Sequence, residues 1–297
     1  MTLTVSLMST EQKKWLYLIL LALVWGSSFI LMKKALIGLT PIQLGALRII
    51  FTGLFLFSTS ASSIKKIKRK QWKYITFTAF AASFFPVFLF AFSISQIDSA
   101  VVSILNCFTP FNTLILGSIL FGFSFRKVQF YGILIGLVGC AILILSGASL
   151  NENQNYWYSI LVLIASVGYA LNVNMVKKYL QDVPPRAIVT GNFLLIFFPA
   201  LMVLYSTGFF SEYVYNIQGL IALVYVAVLA IFGTGLAKIM YNKLVQISTP
   251  IFSSSVTYII PLVAVFWGLI DGEQFGVIQL LGGIIILLGV YLVNKRK

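Results

Sequence analysis

The chain has 297 residues, of which 60% are hydrophobic and only 9% charged, and its mean hydropathy is +0.99. A soluble domain carries roughly a quarter charged residues to cover its surface, so an ordinary soluble enzyme, a disordered chain and a disulfide scaffold are excluded. The formal charge of +14 comes from 21 Lys and Arg set in short clusters between apolar runs. That is not the continuous basic face a nucleic-acid binder needs, so no nucleic acid is expected as a partner.

Residues 1–14 are polar and read as a cytoplasmic N-terminal segment. A spanning helix needs about 20 mostly apolar residues. The runs predict helices at 15–35, 41–60, 74–94, 98–121, 128–147, 157–177, 186–206, 218–242, 249–270 and 276–293, with 294–297 a basic cytoplasmic tail. The first run has full span length and no small-residue cleavage site, so it reads as a retained helix and not a signal peptide. The fold class expected is an all-α, ten-helix membrane protein that crosses the cell (inner) membrane many times, with the lipid bilayer as its solvent.

Bases set the orientation. With the N-terminus inside, all Lys and Arg fall on the cytoplasmic side except Lys33, Lys34, Arg48 and Lys238, and Asp98, Glu152, Glu212, Asp271 and Glu273 fall outside. Both termini are therefore expected in the cytoplasm. The chain also repeats. Gln96-Ile97 recurs as Gln246-Ile247, and Gly122, Gln129, Gly132 and Gly139 recur 150 residues later as Gly272, Gln279, Gly282 and Gly289. Lys33-Lys34 and Pro41 recur 144 residues later as Lys177-Lys178 and Pro185. Two halves of five helices result. Because five is odd, the second enters the membrane in the opposite sense, and such inverted repeats place a substrate site at their interface near the midplane.

Several stretches carry a family resemblance: Trp25-Gly26-Ser27-Ser28-Phe29 in the first helix, Arg48 in the second, Pro110 in the fourth, and Gly132, Gly136 and Gly139 in the fifth. The chain resembles the EamA-type family of the drug/metabolite transporter superfamily, with one repeat over residues 15–146 and another over 157–293. The resemblance implies a cavity lined mainly by helices one to four and six to nine. It also implies kinship with metabolite and amino-acid exporters. The family's Gly-Glu pair is present as Gly272-Glu273 but becomes Gly122-Phe123 in the first half, which leaves that acid without a role there.

Broken helices mark transporter sites. Pro110 and Pro261 lie mid-helix in the fourth and ninth spans, and a helical proline frees the carbonyl four residues earlier, here Asn106 and Thr257. These four residues are candidates for two hinges and two substrate contacts; a kink satisfied by local polar groups is the competing account. Ala22, Trp25 and Ser28 match Ser166, Tyr169 and Asn172, each set on one helix face by its spacing of three. Aromatic groups beside hydroxyls and amides suit a small polar ligand with an apolar body, although helix packing explains the small residues equally well. Asn174 falls on another face.

Charges inside spans are the sharpest signal, since a central Arg or Lys costs about 2.5–3.5 kcal/mol to insert. Arg48 lies near the middle of its span and is expected to face the cavity, pairing with Asp98 or with a substrate anion. Lys238 lies about 12 Å toward the cytoplasmic end of the eighth span, where substrate contact and snorkelling both fit, and Thr234, Lys238 and Tyr241 share one face.

No histidine, seven acids and no acidic cluster leave little for acid–base chemistry. Cys107 and Cys140 lie inside apolar runs as small hydrophobes, no CxxC occurs, and no phosphate-binding Gly-rich loop is present. Neither metal, cofactor nor catalytic residue is expected. A secondary transporter of small anionic or zwitterionic metabolites, amino acids first among them, follows from the cationic depth. A cationic-drug exporter is the alternative, and a channel-like pore or membrane enzyme the alternative of another class. Monomer and homodimer both remain open.

Overall fold

The computed structural model describes residues 9–97, 99–145, 155–212, 216–270 and 276–294. No strand occurs among them; the chain is a packed set of helices. The principal ones are α1 (Thr10–Ala35), α2 (Pro41–Ser60), α3 (Arg69–Gln96), α4 (Ser99–Asn106 and Thr109–Phe121), α5 (Lys127–Leu145), α6 (Ser159–Tyr179), α7 (Pro185–Ser206), α8 (Ile217–Ile247), α9 (Pro250–Ser254 and Val256–Ile270) and α10 (Val277–Asn294). Among the described residues, seven helices are long and apolar enough to cross a membrane. The shorter apolar helices are Lys127–Leu143, Pro250–Val263 and Leu280–Asn294.

Local chemistry sets the helix starts. Ser9 with Gln12, and Thr40 with Gln43, form reciprocal capping boxes that satisfy otherwise orphaned N–H groups. Pro41, Pro185 and Pro250 occupy first turns, where a missing N–H costs nothing. Gly122 ends α4 at φ 69°, a left-handed conformation that glycine adopts without a Cβ clash.

The principal helix contacts exchange when the halves are exchanged. The pair α1–α9 corresponds to α6–α4, α1–α8 to α6–α3, and α2–α8 to α7–α3, while α2–α7 and α5–α10 map onto themselves. Two similar bundles packed about a twofold axis produce this pattern. In α5–α10, small residues let backbones touch. A Cβ on Gly289 would lie 2.5 Å from Gly136 N, and one on Gly282 would lie 2.6 Å from Leu143 N. These glycines are used within the chain.

Two features differ from the sequence expectation. The fourth span is not one helix kinked at Pro110: the chain breaks at Cys107 and Phe108, and Pro110 sits in the first turn of the second segment. In α9 the break comes at Ser255, and Pro261 lies inside the helix beyond it. The second difference is a pair of π-helical bulges, Phe80–Phe84 in α3 and Leu229–Leu236 in α8, at matching places in the two halves. Such bulges release backbone groups from the regular ladder and concentrate at functional sites.

Candidate functional site

A cavity of about 110 Å³ sits where both halves meet. Trp25, Ser28, Arg48, Asn106, Tyr169, Asn172, Lys238 and Thr257 all lie on its wall. The sequence pattern named these eight from three separate arguments, and the fold gathers them from six helices.

The bulges fix the charged members. In α8, the Thr234 hydroxyl donates to Leu229 O at 3.2 Å, which leaves its oxygen free to accept from Arg48 Nε at 2.7 Å. Arg48 Nη1 also approaches Met32 Sδ at 3.5 Å. The guanidinium is thus aimed by one edge, and the other donors of its fork meet no described residue. Asp98, the partner suggested from sequence, lies outside the described residues.

In α3, Pro86 brings no N–H, so the Ala82 carbonyl lacks the donor a regular helix would supply. Lys238 Nζ takes that place, donating to Ala82 O at 2.7 Å and Ser83 Oγ at 2.8 Å. The lysine therefore points into the protein and does not snorkel. One ammonium N–H is left over.

Trp25 Nε1 donates to Gly233 O of the α8 bulge at 2.9 Å, and its ring packs edge-on against Tyr241 at 5.1 Å. Tyr169 lies 5.9 Å from Phe90, which meets Phe29 at 6.4 Å. The Tyr169 hydroxyl and the Asn172 amide hydrogen-bond to no other described residue, so both are open to a ligand. Ser28 Oγ donates back to Val24 O at 2.8 Å and keeps its acceptor capacity.

The freed carbonyls need correction. Asn106 O accepts Thr109 Oγ1 at 2.7 Å, and Thr257 O accepts the Cys107 thiol at 3.3 Å. Both carbonyls therefore already have partners inside the protein, although both residues line the cavity. Ala22 and Ser166, the remaining members of the matched stripes, are off the wall; Ser166 Oγ accepts Asn112 Nδ2 at 2.8 Å and ties α4 to α6.

Phe29, Met32, Phe90, Thr109, Asn192, Gly233, Asn242 and Ile260 also line the cavity. Asn192, the repeat counterpart of Arg48, directs its amide donors to Thr78 Oγ1, Ile188 O and Ile75 O at 3.0–3.2 Å and so joins α7 to α3. One signal in the sequence could have revealed a bulge: Pro86 inside an apolar span. The lining thus holds two cations and, among the described residues, no carboxylate. The ion pairs Lys14–Glu11 at 2.8 Å and Lys68–Asp182 at 3.0 Å are not part of the lining.

Comparison with known proteins agrees with this architecture. The EamA-like transporter family matches residues 12–145 and 156–295. The chain is 25% identical to the uncharacterized inner membrane transporter YedA of Escherichia coli strain K12, over 93% of this chain and 89% of that one. It is 27% identical to a WAT1-related chloroplastic protein of Arabidopsis thaliana, over 95% and 69%. An uncharacterized transporter of Archaeoglobus fulgidus is 25% identical over 96% and 100%. A protein solved by crystallography, 15% identical, shares the fold with a TM-score of 0.74 over 95% of this chain and 96% of its own. Two matched repeats covering nearly the whole sequence make this chain a multi-pass membrane transporter that belongs to the EamA-like transporter family.

Proposed function

We propose that the protein is a secondary transporter of small anionic or zwitterionic metabolites, with amino acids the leading class. The observation that carries this reading is the cavity wall itself: Arg48 and Lys238 are both held by neutral partners and face no carboxylate among the described residues. A desolvated cation needs a counter-charge, and a substrate carboxylate supplies it. Trp25, Phe29, Phe90, Tyr169 and Tyr241 give the same ligand an apolar surface.

In this reading ten helices cross the cell membrane as two inverted repeats with both termini in the cytoplasm, and the halves rock to expose the cavity alternately. Bending falls at the breaks in α4 and α9, with Pro110 and Pro261 just beyond them as hinges. The direction is export, as the family resemblance implies. With no histidine in the chain, exchange or facilitated diffusion fits better than a histidine proton relay.

A second reading, export of cationic drugs, draws on the aromatic wall, because cations bind ring faces. The two fixed cations oppose it by like-charge repulsion. Uptake of labelled amino acids into proteoliposomes separates the two. Arg48→Ala is expected to lower uptake at least about tenfold, the scale of one lost charged hydrogen bond. Transport of a cationic dye at an unchanged rate in Arg48→Ala, with no amino-acid transport by the wild type, overturns the anionic reading.

A further inference from the structure

We propose that Lys177 and Gln246 at one end of the molecule, and their repeat counterparts Lys33 and Gln96 at the other, form two latches that close alternately. The first latch is shut in this structure. Lys177 Nζ donates to Ser248 O at 2.7 Å, Gln246 O at 3.2 Å and Val245 O at 3.4 Å, a cation on the terminal carbonyls of α8. That is the end of a helix where positive charge is favoured. Gln246 Nε2 returns the contact, donating to Val183 O at 2.7 Å and Leu180 O at 3.0 Å beyond the end of α6. The last turns of α6 and α8 are thereby tied in both directions. Lys178 Nζ extends the closure to α4 through Phe121 O at 2.7 Å.

The repeat offsets carry both donors of this latch, and the two acceptors of Gln246, to the opposite end. At spacing 144, Lys177 maps to Lys33, and the acceptors Leu180 and Val183 map to Leu36 and Leu39; at spacing 150, Gln246 maps to Gln96. The same donors and backbone acceptors therefore exist there. Yet Lys33 and Gln96 are exposed and hydrogen-bond to no described residue, and Lys34 lies 5.9 Å from the Tyr225 ring and not on a helix end. The chemistry is shared by the two ends while occupancy is opposite. Rocking the halves to close the second end brings Lys33 Nζ to the terminal carbonyls of α3 and Gln96 Nε2 to Leu36 O and Leu39 O, as it withdraws Lys177 and Gln246. These are positioning residues: they touch no substrate and set which mouth of the cavity is open.

This inference rests on the alternating-access reading above, and one experiment separates the two. The full chain carries Asn172→Cys as a cavity reporter. It is labelled with a membrane-impermeant maleimide from either side of oriented vesicles, and the parent chain serves as the blank because Cys107 and Cys140 are fully buried. Lys177→Met and Gln246→Leu are expected to raise labelling from the α6–α7 loop side, and Lys33→Met and Gln96→Leu from the other, each by about tenfold for a charged latch and less for a neutral one. Lys33→Met combined with Lys177→Met returns the ratio of the two rates toward that of the wild type. If Lys177→Met does not fold, Gln246→Leu, which keeps the charge, carries the test. Labelling of the wild type from both sides, with variants that move the two rates together or not at all, overturns the latch and leaves alternating access standing. Labelling from one side alone in every variant overturns both.

Discussion

At the residue scale, each charged cavity side chain is held by part of its bonding capacity and presents the remainder. Thr234 accepts from one edge of the Arg48 guanidinium, and Ala82 O and Ser83 Oγ hold two of the Lys238 donors. Outside the membrane-spanning segments, Asp182 joins the two halves through Lys68 Nζ at 3.0 Å and Gln71 Nε2 at 2.8 Å. The Lys68 hydrogen bond holds the Asp182 carboxyl below the usual carboxylate range, with further help from its own backbone and the Lys68 and Lys70 charges. A depressed folded-state value stabilises the fold above the unfolded value near 3.8 and is lost as pH falls through the folded value. Asp182→Asn is therefore expected to lower the melting temperature slightly at neutral pH, with the difference from wild type vanishing in acid. A pH series of melting curves checks this, and a difference that persists in acid contradicts it. Arg48 was legible in the sequence because a charge in an apolar span must have a reason. Asn192 was legible only as its neutral counterpart: nothing in spacing reveals that its donors are spent on Thr78 and on the carbonyls of α3 and α7.

At the scale of elements, the site is built on irregular helix. Both bulges turn carbonyls toward side chains from the opposite half: Gly233 O receives Trp25, and Ala82 O receives Lys238. Each residue removed from a helix rotates its C-terminal remainder by about 100°. Deleting Phe232, an exposed residue of the α8 bulge, is expected to swing Lys238, Tyr241 and Asn242 off the cavity wall. Ligand binding should weaken by more than about tenfold while the far-ultraviolet helical signal is kept; binding at wild-type affinity contradicts the role given to the bulge. Prolines pointed to part of this. Pro110 marked a broken helix, although the break precedes it, because the chain is already non-helical at Cys107 and Phe108. Pro86 carried the stronger information, since its missing N–H explains the Ala82 acceptor. The α8 bulge contains no proline, and its Gly-Thr-Gly run fits a regular apolar helix equally well until tertiary contacts decide.

At the scale of the whole molecule, the repeat offsets of 144 and 150 anticipated which helices exchange, and the contacts agree: α1–α8 with α6–α3, and α1–α9 with α6–α4. Periodicity alone left helix continuity open, because apolar runs do not record where hydrogen-bond ladders break. The exchange also explains why one cavity forms at the junction, lined unequally: Arg48 faces the site from α2, while the matching position in α7 is the neutral Asn192. That inequality, together with Lys238 from α8, gives the cavity the cationic character that, in the proposed function, selects the substrate. The most direct measurement is the melting temperature of the purified protein against amino acids, organic acids, nucleobases, sugars and cationic dyes, for wild type, Arg48→Ala and Lys238→Ala. A ligand that binds only the folded state stabilises it by about 2.7 kcal/mol at a hundredfold its dissociation constant. Stabilisation by anionic or zwitterionic compounds is expected, lost in Arg48→Ala and weakened in Lys238→Ala. Stabilisation by cationic dyes that persists in both variants would contradict it.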